Sequence, residues 1–160
     1  MTRMAVITKS YAPDFELCAK LNRSVLENAP DTIHHHIIVP RRDLKLFQQL
    51  GDNARTHIRC ESDFWPRSFV SLPFKNIMIN LYRPFPPVRG WIQQQVIKLA
   101  AIAASEEDVV LVVDSDVEFI RSFNAEMFIR DGVMRFFRGS AQIDEKLPRH
   151  MAWHRGARKL

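Results

Sequence analysis

The sequence has few of the features that mark membrane, disulfide-rich or disordered proteins. Its 160 residues include only two cysteines, Cys18 and Cys60, which lie far apart and form no C-x-x-C motif. Two such thiols suit a reducing compartment better than a disulfide framework. No apolar run approaches the roughly 20 residues that a membrane-spanning helix needs, and no apolar leader precedes residue 4. We therefore expect a soluble, cytoplasmic protein without a transmembrane segment.

Acidic residues are in the minority. The chain carries 23 lysines and arginines against 18 aspartates and glutamates, which gives a net charge of +5. This balance favours anionic partners such as nucleotides, phosphates or an anionic membrane face. The excess is too diffuse to indicate a nucleic-acid partner, although the basic residues around Trp153 leave a nucleic-acid or membrane-surface patch as an alternative. A peripheral membrane contact stays open.

The first 60 residues alternate between strand-like and helix-like segments. Apolar runs predict strands at 4–8, 33–39 and 56–60, and a three-to-four spacing predicts a helix that Asp14 or Ser10 caps. Asp43 is predicted to cap a second, short helix. This alternation is typical of an α/β domain with a mainly parallel sheet and helices on both faces. We expect one domain over residues 1–160.

The middle of the chain predicts a loop, a helix and a strand. Residues 64–89 contain five prolines and predict mostly loop, with one short element at 77–81. A helix is predicted over 91–104, and the apolar run Val109–Val113 predicts a central strand buried on both faces. The apolar positions with helical spacing, which we expect to face the core, are Ile92, Val96, Leu99 and Ala103.

The main chemical signal follows this last strand directly. Ser115 separates Asp114 from Asp116, and on an extended backbone alternate residues such as these point their side chains the same way. Ligands of open α/β sheets bind beyond the carboxyl ends of the strands, which is where this motif lies. Two converging carboxylates can hold a hard cation such as Mg²⁺, which completes its shell with water and phosphate oxygens. A turn with two solvated carboxylates is the plain alternative.

A second signal lies on the helix before that strand. Four of its residues have the i, i+3, i+4 and i+7 spacing that puts side chains on one helix face. A ring, two amides and an ammonium in one row could contact the hydroxyls and phosphates of a sugar nucleotide. A boundary helix with solvated polar residues is the alternative. The row consists of Trp91, Gln94, Gln95 and Lys98.

Other motifs allow weaker hypotheses. The D-x-D pattern resembles the D-x-D-x-[TV] motif of haloacid dehalogenase phosphatases, but Glu118 stands at its last position. His34 and His36 share a strand face, yet two histidines make a poor metal site. His150 and His154 have a zinc-like spacing without the glutamate of H-E-x-x-H, so only a contact with phosphates stays open.

Three stretches together resemble a known family. Residues 6–15 read VITKSYAPDF, residues 90–99 read GWIQQQVIKL, and residues 112–117 read VVDSDV. With residues 150–155, they resemble bacterial DUF6492-type proteins, which are similar to GT-A glycosyltransferases. The resemblance spans nearly the whole chain. It implies a GT-A-like, Rossmann-like fold and the transfer of a sugar from a nucleotide-diphosphate sugar to a glycan or glycoconjugate acceptor.

The resemblance also implies roles for individual residues. Asp114 and Asp116 would hold Mn²⁺ or Mg²⁺, and Lys98 would approach the diphosphate of the donor. No general base follows from the resemblance, and Glu118 and Asp144 are candidates by residue type only. The implied nucleotide-sugar site comprises Thr8, Tyr11, Asp14, Trp91, Gln94, Gln95, Lys98, Asp114 and Ser115.

The chain departs from GT-A enzymes at its end. Those enzymes continue into an acceptor-binding half, whereas this sequence stops at Leu160. We therefore expect an incomplete GT-A-like domain whose C-terminal part is missing. A non-catalytic module that binds nucleotides or other anions is the alternative function.

Overall fold

The computed structural model describes residues 2–72 and 77–134. No helix in this part of the chain is long and apolar enough to cross a membrane. The helices are α1 (Phe15–Asn28), α2 (Leu44–Phe47) and α3 (Gly90–Ala103). The strands are β1 (Met4–Lys9), β2 (His34–Val39), β3 (Thr56–Cys60), β4 (Phe69–Leu72), β5 (Ile77–Asn80), β6 (Val88–Arg89), β7 (Val109–Val113), β8 (Ile129–Arg130) and β9 (Val133–Met134).

The main sheet has four parallel strands in the order β3-β2-β1-β7. Parallel neighbours need long crossover connections, and α1 provides the one between β1 and β2. A second sheet, β4-β5-β6, is antiparallel, and β8 pairs with β9 in a two-stranded hairpin. The chain therefore has the α/β, Rossmann-like architecture that the alternation of strands and helices predicts.

Helices cover both faces of the main sheet, as predicted. On one face Val6 of β1 belongs to a cluster with Val25 of α1, and α2 joins this face through contacts with β2 and β3. On the opposite face Ile7 packs with Ile38 of β2 and Ile97 of α3. Consecutive residues of a strand point to opposite faces, so β1 contributes to both clusters. The sheet is thus the middle layer of three.

The prediction for the last strand of the sheet was wrong in one respect. We expected Val109–Val113 to be central and buried on both faces, but among the described strands β7 lies at an edge of the main sheet. Val109 is buried, and the next four residues are only half-buried. The central position belongs to β1, whose residues 4–8 are all buried. An apolar run indicates contact with a core and does not specify which strands lie beside it.

The core stripe predicted for α3 was also wrong. Ile92 and Leu99 are 57% and 65% exposed, whereas Ile97 and Ala101 are buried against the sheet. Lys98 belongs to the buried side and is only 9% exposed. Apolar residues occur nearly all around this helix, so their spacing alone does not select a face. Packing against the sheet selects it.

Residues 64–89 contain more regular structure than predicted. Instead of a loop with one short element, they include β4, β5 and β6, which pair as antiparallel strands. Proline lacks the N–H group that a strand ladder needs, and it therefore occurs between strands more readily than within them. Pro66 precedes β4, and Pro84, Pro86 and Pro87 lie between β5 and β6. These prolines mark the connections of a small sheet.

Neither of the predicted aspartate caps forms. Asp14 and Asp43 precede α1 and α2, but neither side chain accepts a hydrogen bond from the first turn of its helix. The Asp43 carboxylate instead accepts a hydrogen bond from the backbone N–H of Ala12 at 3.0 Å. This bond ties the segment after β2 to the segment after β1. Both segments lie at the carboxyl edge of the main sheet.

Arg55, which precedes β3, binds carbonyl oxygens at and beyond the end of α1. The last carbonyls of a helix have no partner within the helix, so they need donors from elsewhere. The guanidinium also lies 3.1 Å from the exposed carboxylate of Asp31. The four backbone carbonyls to which it donates, at 3.0–3.2 Å, are those of Leu26, Ala29, Pro30 and Ile33.

Arg55→Ala should lower the free energy of unfolding by about 2–4 kcal/mol, because several carbonyls lose a charged donor at once. Urea denaturation would measure this loss. Asp31→Asn is the matched control, since it removes only the exposed ion pair and should leave the free energy almost unchanged. Equal losses in the two variants would contradict the role given to the carbonyl contacts.

Candidate functional site

The candidate site lies where the strand order of the main sheet reverses. After β1 the chain turns into α1 on one face, whereas it reaches β7 from α3 on the other face. Neighbouring strands of this kind leave a crevice at their carboxyl ends, where open α/β sheets bind ligands. Ser10 follows β1 at this point, and the motif from Asp114 to Asp116 follows β7. The D-x-D motif therefore lies at the edge of the sheet where we expected it.

Lys98 of α3 contacts the first carboxylate of this motif. Its Nζ atom lies 2.5 Å from Oδ1 of Asp114. The lysine side chain is almost fully covered, whereas the aspartate side chain is largely exposed to solvent. A buried stem that brings its ammonium to the surface is a common arrangement for lysine. Two residues that the sequence assigned to one site are thus in direct contact.

Hydrogen bonds attach the loop after β7 to β1 and α1. Ser115 Oγ donates to Ser10 Oγ at 3.0 Å in the protein interior. Further along, the N–H of Phe119 donates to Ser24 Oγ, and its carbonyl accepts from Asn28 Nδ2, each at 3.0 Å. One contact within the motif and two after it hold this loop in place. The serine predicted to bind the nucleotide sugar therefore supports the loop with its hydroxyl.

Asp116 is exposed, and no hydrogen bond or ion pair with another described residue engages its carboxylate. A cation at the motif would find Asp116 available and would compete with Lys98 for Asp114. Within residues 2–72 and 77–134, no group of three or more acidic, histidine or cysteine side chains could hold a metal ion. One or two carboxylates suit Mg²⁺ or Mn²⁺, which keep water and phosphate ligands, better than zinc. The backbone of the motif is a turn, in which the N–H of Val117 donates to the Asp114 carbonyl at 3.3 Å, so the predicted extended backbone that would align both carboxylates was wrong. The two aspartates suit this type of cation by residue type.

A narrow pocket of about 170 Å³ opens along the same edge of the sheet. Lys9 and Tyr11 line it from the end of β1, Arg42 from beyond β2, Glu61 from beyond β3, and Gln94 from α3. Lys9 Nζ lies 3.5 Å from Oε2 of Glu61 and 6.0 Å from the centre of the Tyr11 ring. The pocket thus brings together polar side chains from the ends of three strands.

A larger pocket of about 410 Å³ adjoins the narrow one and shares Arg42 and Glu61 with it. Arg41 and Arg67 add positive charge, and Trp65 contributes an aromatic ring. In the described part of the chain, Trp65 Nε1 is the one buried side-chain nitrogen or oxygen that lacks a hydrogen-bond partner. Arginine and aromatic side chains together suit a planar, anionic ligand. We call the two connected pockets the carboxyl-edge cleft.

Thr8, which the sequence assigns to the nucleotide pocket, lines neither pocket of this cleft. Its side chain is fully buried, and Oγ1 lies 3.0 Å from Nε2 of His35. Thr8 pairs with Ile37 in the sheet, and both point to the face that α1 covers. The alternation of side chains along β1 accounts for this position, because it sends Thr8 and Lys9 to opposite faces.

The other predicted residues fall into three groups. Those at the crevice between β1 and β7 are Lys98, Asp114, Ser115 and Asp116. Those in the wall of the carboxyl-edge cleft are Tyr11 and Gln94. Those that line neither of its pockets are Asp14, Trp91 and Gln95. The candidates Asp144, His150 and His154, and the basic residues around Trp153, lie outside the described residues.

The charged residues that follow β2 and β3 were not predicted from the sequence. Arg41 and Arg42 come directly after Pro40, and Glu61 comes directly after β3. A signal was available, since the rule that selected the D-x-D motif applies to every parallel strand. The rule could not be applied to β2 and β3, because the sequence alone does not show that these strands end beside β1.

Three histidines form a separate cluster on the α3 side of β2 and β3. His34 Nδ1 lies 2.7 Å from His57 Nε2, and the rings of His34 and His36 both stack on that of His57. The shared face of His34 and His36 is thus confirmed. Burial, followed by the nearby His57, lowers the pKa of His36 to about 4. This histidine is therefore neutral at pH 7.

Fold and site together define the class of the protein: an α/β domain with a Rossmann-like parallel sheet and a polar cleft at the carboxyl edge of that sheet. Over residues 4–160 the chain matches the model of DUF6492, a family of unknown function, and it belongs to that family. Membership by itself implies no reaction. No curated protein and no solved structure matches the chain.

Proposed function

We propose that the protein is a metal-dependent glycosyltransferase that moves a sugar from a nucleotide-diphosphate sugar to a glycan or glycoconjugate acceptor. One observation carries the proposal: Lys98 meets Asp114, beside Asp116, where the strand order reverses. A donor diphosphate needs a divalent cation and positive side chains to offset its charge. The crevice offers carboxylates for the first and a lysine for the second.

Positive side chains along the carboxyl edge support a diphosphate site. Lys98 lies at the crevice, and Arg42 lines both pockets of the carboxyl-edge cleft. Arginine can bind a phosphate through two parallel hydrogen bonds, whereas lysine acts as a point charge. Each of these two cations lies near a carboxylate, Lys98 near Asp114 and Arg42 near Asp43, as Lys9 does near Glu61. We assign the diphosphate to Lys98 and Arg42.

The larger pocket would take the nucleoside part of the donor. Its volume of about 410 Å³ falls within the range of ligand pockets, roughly 300–1,000 Å³. The Trp65 ring offers a surface on which a base can stack, and Arg41 can add a cation–π contact. This assignment gives the arginines beyond β2 a role that the D-x-D motif alone does not explain.

Asp116 would be the main ligand of Mn²⁺ or Mg²⁺, and Asp114 a second one once Lys98 turns towards the phosphates. A bound cation of this kind offsets the charge that develops on the departing nucleotide diphosphate. Lys98 and Arg42 would hold the diphosphate in one orientation while the sugar is transferred. Glu118, exposed on the same loop, stays the candidate base by residue type.

Calorimetric titration of UDP, GDP and their common sugars into the full chain would test the proposal. We expect one nucleotide diphosphate to bind with Mn²⁺ present and to bind at least about tenfold more weakly with EDTA, because the cation links phosphate to carboxylate. The free nucleoside is the matched control. It has no diphosphate, so EDTA should not change its affinity.

Nucleotide binding that does not respond to EDTA would contradict the role of the two aspartates. Metal-dependent binding of a sugar nucleotide, followed by release of the nucleotide diphosphate when acceptor glycans are added, would support transfer. Binding without release under any of these conditions would favour the non-catalytic module instead.

A further inference from the structure

The connection between β5 and β6 exposes several large apolar side chains. We call residues 81–87 the hairpin tip. Tyr82 is 90% exposed, Phe85 is 79% exposed, and Leu81 is also largely exposed. None of the three lines the carboxyl-edge cleft. Clustered apolar side chains on a surface mark a site of interaction, in contrast to single exposed ones.

Backbone hydrogen bonds and prolines restrict the hairpin tip. The N–H of Arg83 donates to the carbonyl of Asn80 at 3.1 Å, and the N–H of Tyr82 donates to Asn80 Oδ1 at 3.0 Å. A surface that is already formed loses less conformational entropy when it binds a partner. The tip also contains three prolines, whose rings fix their φ angles: Pro84, Pro86 and Pro87.

The sequence around the hairpin tip carries positive charge only. Residues 64–105 contain five cationic residues and no acidic residue. The net charge of the whole chain, +5, has the same sign. Within the tip itself Arg83 is the one charged residue, and it is exposed. An apolar tip with a positive charge complements a partner that is apolar and negative. The five cationic residues are Arg67, Lys75, Arg83, Arg89 and Lys98.

We propose that the hairpin tip docks the protein on the surface of an anionic lipid bilayer. Tyrosine favours the boundary between headgroups and acyl chains, and phenylalanine and leucine enter the apolar side of that boundary. Arg83, which is exposed within the tip, pairs with lipid phosphates. Seven residues are too few for a stable protein interface, which buries roughly 800 Å² on each partner.

Vesicle co-sedimentation of the full chain tests this proposal. Vesicles in which about a third of the phosphatidylcholine is replaced by phosphatidylglycerol should bind the chain more strongly than phosphatidylcholine alone. Phe85→Ser and Tyr82→Ser should each lower the partition coefficient about tenfold, and Arg83→Gln should lower it about fivefold. Ile120→Ser is the matched control, because Ile120 is 91% exposed outside the tip. It should bind vesicles like the unmodified chain.

Failure of the unmodified chain to bind anionic vesicles would overturn the proposal, and so would equal binding by Phe85→Ser. Self-association in the ultracentrifuge that depends on Tyr82 and Phe85, without vesicle binding, would also overturn it, since the tip would then contact a second copy. The variants should keep the thermal midpoint of the unmodified chain, because the substituted side chains are exposed. Their nucleotide affinity should also be unchanged, so this test and the test of the proposed transferase can fail separately.

Discussion

Replacing Asp116 with asparagine should weaken the metal-dependent binding of a nucleotide diphosphate by at least about 100-fold. Substitutions outside the ligand shell of a metal already cost about 10–100-fold in affinity, and Asp116 is the carboxylate that no other described residue engages. An amide oxygen keeps the shape of the ligand and loses its charge. Calorimetry with Mn²⁺ would measure the loss.

The control for this variant is Asp52→Asn. Asp52 is an exposed aspartate that precedes β3, and β3 lies at the other end of the strand order from β7. This variant therefore makes the same charge change far from the crevice. Its nucleotide affinity should equal that of the unmodified chain. Both variants should unfold at the same urea concentration, since both side chains lie on the surface. Unchanged metal-dependent binding by Asp116→Asn would remove this aspartate from the proposed site.

Acidification should destabilise the protein through His35. This side chain is fully buried, with Nδ1 2.9 Å from Asn22 Oδ1 and Nε2 3.0 Å from Thr8 Oγ1. The amide oxygen accepts from Nδ1–H, and the threonine hydroxyl can donate to Nε2, so the neutral ring is satisfied at both nitrogens. Burial, with a smaller effect of nearby His36, lowers the pKa of His35 from 6.5 to about 3.

The direction of the effect follows from proton uptake. Below pH 6.5 the unfolded chain protonates His35, whereas the folded protein keeps it neutral down to about pH 3. The free energy of unfolding is therefore highest above pH 6.5 and falls as the pH decreases towards 3. Between pH 7 and 4 this histidine should account for a loss of about 3 kcal/mol. His36 and His57, whose pKa values burial also lowers, act in the same direction.

Urea denaturation at several pH values would measure the slope. In His35→Gln the free energy of unfolding should depend on pH less steeply, by about 1.2 kcal/mol per unit between pH 6 and 5. An NMR titration of the unmodified chain provides a second measurement that does not depend on the stability of the variant. A His35 ring that gains a proton between pH 7 and 5 would contradict its burial as a neutral group.

Secondary structure was the most predictable part of the fold. β3 has the predicted bounds, and β1 and β2 differ from prediction by one residue at an end. Short apolar runs bounded by polar residues indicate strands from the local sequence alone, so their bounds can be predicted without knowing which strands pair. The weaker strands β4 to β6 were not recognised as a sheet, because each becomes regular only through its neighbours.

The candidate site was predictable where one strand and its following loop carry it. Asp114 and Asp116 could be selected because an apolar run and two alternating carboxylates are contiguous in the chain. The wall of the carboxyl-edge cleft could not, because Arg42 and Glu61 meet only when β2 and β3 end side by side. The position of Thr8 away from the cleft could not be predicted for a related reason, since the orientation of its side chain depends on which face α1 covers.

Local spacing and residue type were thus enough for the class of fold and for the D-x-D motif at a strand end. Three features required the tertiary structure: the pairing of β7 with β1, the buried side of α3, and the contact of Lys98 with Asp114. Each depends on which distant segments pack together. The hydrophobic effect that drives this packing is non-directional and depends on the apolar area buried. It depends little on how far apart two segments lie in the sequence, so the spacing of residues along one segment does not identify the segment that packs against it.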